Sequence, residues 1–159
     1  VLKGHIAVNN FNLKKNTLGS HVDYVARKYL REIGLDYNHG TGHGVGHFLN
    51  VHENPPNISK LSKCKFFEGQ IMSNEPGFYL KNNFGIRLEN LMYVEKNDGE
   101  MVFKSLTLVP FEREMIEKKL LTKSEIEWIN RYHENVYEEL RLFMNKKEEI
   151  FLNKYCSPI

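Results

Sequence analysis

The segment from His39 to His52 reads HGTGHGVGHFLNVH, so four of the seven histidines fall within fourteen residues, with glycines at 40, 42, 44 and 46. Glycine offers no side chain to a core and its backbone freedom is costly to fix. The composition therefore predicts a close approach, with imidazoles standing beside it. Two further segments place ionisable groups where a plain strand or turn needs none: SNEPG at 73–77 and RLEN at 87–90. Glu75 precedes Pro76 and Gly77, which puts it at a strand end, while Glu89 lies inside the apolar run GIRLENLMYV. A carboxylate among apolar neighbours is costly unless a cation or a hydrogen-bond donor meets it.

One imidazole and two carboxylates from separate strands suit manganese, cobalt, iron or zinc. His39 and His43 are four apart, as in a helical zinc motif, but the interleaved glycines argue against a helix. In an extended segment, even spacing lets both histidines point the same way into a site. Gly42, Gly44 and Gly46 would then leave space above that site for a peptide backbone. Two plainer readings compete: a glycine-rich surface loop with incidental histidines, and an ion pair between Arg87 and Glu89. His5, His21 and His133 are read as ordinary solvated or hydrogen-bonded histidines.

The elements that must position these groups can be sketched from periodicity. Val22, Val25, Ala26, Tyr29, Leu30 and Ile33 recur at helical spacing, predicting a helix over 20–33 capped by Ser20 and ended by Gly34. GQIMSNEPGFYL, GIRLENLMYVEKN and EMVFKSLTLV read as antiparallel strands, with an Asn97-Asp98-Gly99 turn signal between the last two. After Pro110 the chain becomes charged and helical, and Thr122 with Glu125 forms a capping box. The stripe Ile126, Ile129, Tyr132, Val136, Leu140, Phe143 and Met144 is read as a face packed on the protein's own sheet, ahead of a dimer surface. The class is α+β, an antiparallel sheet covered by helices.

Composition narrows the partners. The net charge of +2 comes from interspersed signs and gives no reason to invoke nucleic acid or an acidic membrane surface. No apolar run is long enough to span a bilayer. Two distant cysteines, Cys64 and Cys156, suggest neither a disulfide framework nor a cysteine zinc site and fit a reducing, cytoplasmic setting.

HGTGHGVGHFLNVHENP, SNEPGFY and FGIRLEN, in this order, resemble the aminopeptidase P (Xaa-Pro aminopeptidase) branch of the methionine aminopeptidase and creatinase group, which has the pita-bread fold. The resemblance runs from VLKGHIAV through LTLVPFEREMI to the helix containing Trp128 and Tyr132. It implies the second half of a pita-bread catalytic domain over 1–110, followed by a C-terminal helical extension over 111–159. It also implies a site for two divalent ions, manganese foremost with zinc or cobalt as alternatives. Their ligands would include His43, Glu75 and the bridging Glu89.

By the same resemblance His39 and His52 would be catalytic, holding the substrate, with Arg87 and Tyr79 supporting the site. The substrate would be a peptide with proline in second position, cut at the bond before that proline, and a homodimer is possible. Two aspartate ligands of the family fall upstream of the position matching Val1, and Asp23, Asp36 and Asp98 do not replace them. The expectation is therefore a fragment, or a split or decayed gene product, inactive alone. The alternatives are a non-catalytic pita-bread module that binds peptides or proteins, and a prolidase acting on dipeptides.

Overall fold

The computed structural model describes residues 1–48 and 50–159. Helix α1 (Leu2–Asn9) and helix α2 (Gly19–Arg31) precede seven strands. These are β1 (Gly42–His43), β2 (Asn57–Ile58), β3 (Ile71–Asn74), β4 (Gly77–Leu80), β5 (Phe84–Arg87), β6 (Asn90–Asn97) and β7 (Glu100–Ser105). Helices α3 (Lys123–Leu140) and α4 (Lys146–Cys156) follow. The described residues divide into two compact units, Val1–Thr107 and Leu108–Ile159. Among the described residues, no helix is long and apolar enough to cross a membrane.

All strand pairing is antiparallel. β6 lies between β3 and β7, β1 pairs with β2, and β4 pairs with β5. Along β6 the buried residues Asn90, Met92 and Val94 alternate with more exposed neighbours, the period of a strand with one face on a core. That core gathers Val8 from α1, Val22 and Ala26 from α2, Ile58, Met72, Met92, Val94, Phe66 and Phe103. The β6–β7 connection is a two-residue turn in which Asp98 and Gly99 both have positive φ (50° and 86°), as the Asn-Asp-Gly signal predicts.

Several expectations are corrected. Ser20 does not cap α2: the cap is Leu18, whose N–H donates to His21 Nδ1 at 3.2 Å, and Ser20 lies inside the first turn. Val22, Ala26 and Leu30 are buried, but Ile33 is 70% exposed because the helix has ended before it. The long strand expected across GIRLENLMYVEKN is two strands, with Leu88 and Glu89 between them. Thr122 and Glu125 do form the reciprocal cap of α3. Its buried face carries Trp128, Ile129, Tyr132, His133 and Val136, and meets Phe111 and α4 within its own unit. Phe143, counted in the predicted stripe, is 85% exposed in a 3₁₀ turn past the helix end.

Candidate metal centre

His43 occupies the last position of β1, and β1 is wedged between β2 and the start of the central sheet. Gly44 bridges to Met72, and the His43 N–H donates to Ser73 Oγ at 3.0 Å. Space there is so limited that a methyl on Gly42 would stand 2.1 Å from the Ser73 carbonyl oxygen, and one on Gly44 would stand 2.0 Å from the Glu53 carbonyl oxygen. The close approach predicted from the glycines is real, but the backbone that approaches is the protein's own. The expectation that these glycines leave room for a substrate backbone is overturned at Gly42 and Gly44, and at Gly46 the Glu53 side chain takes that space.

Glu75 follows β3 directly, where Pro76 ends the ladder, and its N–H donates to the Thr41 carbonyl at 2.8 Å. The buried Ser73 hydroxyl donates to Glu75 Oε1 at 2.9 Å, which fixes the carboxylate against the sheet. Glu75 Oε1 then lies 3.2 Å from His43 Nε2. His43 Nδ1 sits 2.9 Å from the Gly44 carbonyl, an acceptor only, so that nitrogen carries the proton. With the proton on Nδ1, the Nε2 lone pair faces a carboxylate oxygen, two acceptors side by side, which is how a carbonyl bonded to the far ring nitrogen presents an imidazole to a cation.

Glu89 completes the group from the β5–β6 junction. One ligand atom from each of His43, Glu75 and Glu89 lies within 4.8 Å of the others. Metal–nitrogen and metal–oxygen bonds of about 2.0–2.2 Å allow ligand separations up to about 4.4 Å around one ion. Glu89 is exposed, so packing does not hold its side chain at that separation. The donor set and its spacing thus fit a divalent cation. Glu75 is buried, whereas Glu89, read from the sequence as a carboxylate among apolar neighbours, is exposed.

Arg87 does not neutralise Glu89 by direct contact as the ion-pair reading supposed. Its Nη1 lies 3.5 Å from Glu75 Oε2, and its Nε–H donates to the Tyr79 hydroxyl at 2.8 Å. The Tyr79 hydrogen bond first, and the negative field of Glu75 and Glu89 after it, hold the Arg87 guanidinium above its ordinary value. Having accepted from Arg87, Tyr79 donates onward to His39 Nε2 at 2.9 Å, and His39 Nδ1 donates to the Gly40 carbonyl at 2.7 Å. A continuous chain thus runs from His39 through Tyr79 and Arg87 to Glu75.

His52 reaches the centre by another route. The loop after β1 folds back through Glu53 N–H to the Gly44 carbonyl (2.9 Å), and the His52 ring lies 4.2 Å from the His43 ring. His47 stays outside, exposed beside Phe48. Ser73 was not found from the sequence, since a serine in a strand carries no mark of the two partners it bridges. The cluster draws in no aspartate: Asp23 and Asp36 are bound to Arg27, and Asp98 sits in the β6–β7 turn.

Residues 1–96 match the model of metallopeptidase family M24, and residues 100–159 match the C-terminal region of peptidase M24. The chain belongs to metallopeptidase family M24. Among M24 structures, the X-prolyl aminopeptidase of Caenorhabditis elegans, described as a cytosolic enzyme with a di-nuclear active site, superposes with a TM-score of 0.90 at 39% identity. That match covers 100% of this chain and 28% of that one. A probable Xaa-Pro aminopeptidase P of Arthroderma gypseum is 44% identical over 159 residues, 93% of this chain and 25% of the relative. A prolidase of Pyrococcus horikoshii matches with a TM-score of 0.60 and 33% identity over 73% of this chain and 31% of that one. The chain spans about a quarter of the length of the curated relatives it matches. These neighbours carry the pita-bread fold, and the helices and antiparallel sheets seen here correspond to part of it.

Proposed function

We propose that this chain contributes His43, Glu75 and Glu89 as metal ligands to an Xaa-Pro aminopeptidase, which removes the N-terminal residue from peptides with proline in second position. The convergence of these three side chains from β1, the β3–β4 junction and the β5–β6 junction carries the reading. The di-nuclear description of the C. elegans relative supports two divalent ions, and the nitrogen and oxygen donors suit manganese, with zinc or cobalt as alternatives. When bound, such ions lower the pKa of water and neutralise charge developing on a carbonyl oxygen.

The protein's own groups have separate tasks. Ser73 holds one carboxylate oxygen of Glu75 and Arg87 meets the other. His52, exposed beside His43, and His39, at the end of the Tyr79 chain, flank the cluster where a peptide would lie, and each can orient its carbonyl or amine. Three ligands do not make a two-ion site, so the remaining carboxylates come from outside these 159 residues, and this chain alone is inactive. The described cytosolic location of the relative, with Cys64 and Cys156 both free, supports a cytoplasmic enzyme.

The test is manganese-dependent release of the first residue from an Xaa-Pro-Pro tripeptide by the intact protein, beside an Xaa-Pro dipeptide. Glu89→Gln is expected to weaken manganese binding at least tenfold by calorimetry and to lower turnover roughly 1000-fold. Preference for the dipeptide would make the enzyme a prolidase. A Glu89→Gln protein with unaltered manganese affinity would exclude the ligand assignment.

A further inference from the structure

Arg27 is 1% exposed in α2, and all five of its N–H donors are used. Nε and Nη2 hold Asp23 in a bidentate pair at 2.7 and 3.0 Å, Nη1 meets Asp36 at 2.7 Å, and the two remaining donors reach the carbonyls of Tyr37 and His39, each at 2.6 Å. The Tyr37 ring lies against the guanidinium at 3.8 Å. Asp23, equally buried, also accepts from the Thr41 hydroxyl at 2.7 Å, and Thr41 in turn accepts the Glu75 N–H. Residues 38–41 belong to no strand, so no sheet ladder sets the direction of His39.

Stability gives little reason for this arrangement, because a buried ion pair can often be replaced by apolar residues of similar volume without loss. The geometry gives another. We propose that the Asp23–Arg27 pair is a positioning device for the candidate substrate-binding segment, fixing the His39 backbone so that its ring meets Tyr79 rather than turning to solvent. The proposal rests on the substrate role given above to His39. Lysine cannot substitute at position 27, since a single ammonium cannot grip Asp23 in a fork and reach two carbonyls together.

The experiment is a double-mutant cycle in the manganese-loaded intact protein, comparing His39→Ala, the paired change Asp23→Leu with Arg27→Met, and all three together. His39→Ala is expected to lower kcat/KM roughly 100-fold, and the paired change about tenfold or more. If the pair acts through His39, the combined variant falls no more than about threefold below His39→Ala, with manganese affinity by calorimetry held within the same margin. Multiplying losses, or manganese affinity falling in proportion to kcat/KM, overturns the proposal. A silent His39→Ala removes the reading of His39 itself and the proposal with it. Should the paired change not fold, Arg27→Lys serves: it keeps the charge and loses the carbonyl contacts, and a wild-type kcat/KM in that variant overturns the proposal equally.

Discussion

Gly40 and Gly42 lie two residues apart, yet an added methyl meets different surroundings at each. At Gly42 it would press on the Ser73 carbonyl at 2.1 Å, whereas at Gly40 the nearest atom is the Ile58 carbonyl oxygen at 3.4 Å. Gly42→Ala must push β1 away from β3, at a cost of about 3 kcal/mol. The shift also breaks the bond from His43 N–H to Ser73 Oγ and moves the histidine from Glu75. Urea denaturation should show that loss, and calorimetry at least a tenfold drop in manganese affinity. Gly40→Ala should change both only slightly. The glycine pattern was visible in the sequence, but not which glycine is pressed by which backbone.

At the scale of elements, the residues proposed to do chemistry sit where strands stop. Glu75 lies between β3 and β4, and Glu89 between β5 and β6, so each carboxylate escapes the alternation that would send it to a solvent or core face. Pro76 makes the first break legible, since it cannot continue the ladder. Nothing comparable marks Leu88–Glu89, so that boundary is not legible in the sequence. Helix caps are local and fared unevenly for the same reason. Thr122 and Glu125 satisfy each other's backbone N–H groups at 2.8 and 3.3 Å. Thr122→Ala should therefore destabilise the C-terminal unit by about 1 kcal/mol, read as a lower urea midpoint. At α2 the serine expected as cap lost to Leu18, because His21 supplies the acceptor.

Across the whole molecule, acid sensitivity should begin with the buried histidines. Burial pushes His5 down from 6.5 to about 4 and lowers His133 as well. The native state therefore binds fewer protons than the unfolded chain once the pH drops below the unfolded value. His5 costs nothing above pH 6.5, and its penalty grows through pH 5. It levels off below about 4, at roughly 3 kcal/mol for the whole shift. Urea unfolding at pH 7 and pH 5 measures the slope, and His5→Gln should flatten it. An equal slope in that variant would assign the acid sensitivity to other groups.

Amino-acid order settled what depends on neighbours along the chain: the helical period of α2, the capping box of α3, the Asp98-Gly99 turn and the three motifs that point to M24. It also determined which side chains could bind a cation, because imidazole and carboxylate chemistry is a property of residue type. How those groups meet was set by packing in three dimensions. Ser73 bonded to His43 of another strand, Arg87 on Glu75 rather than Glu89, and Arg27 beneath His39 are contacts between different elements. Such contacts follow from strand register and helix packing, where the free energy of the whole core selects the partner and no local pattern records the choice.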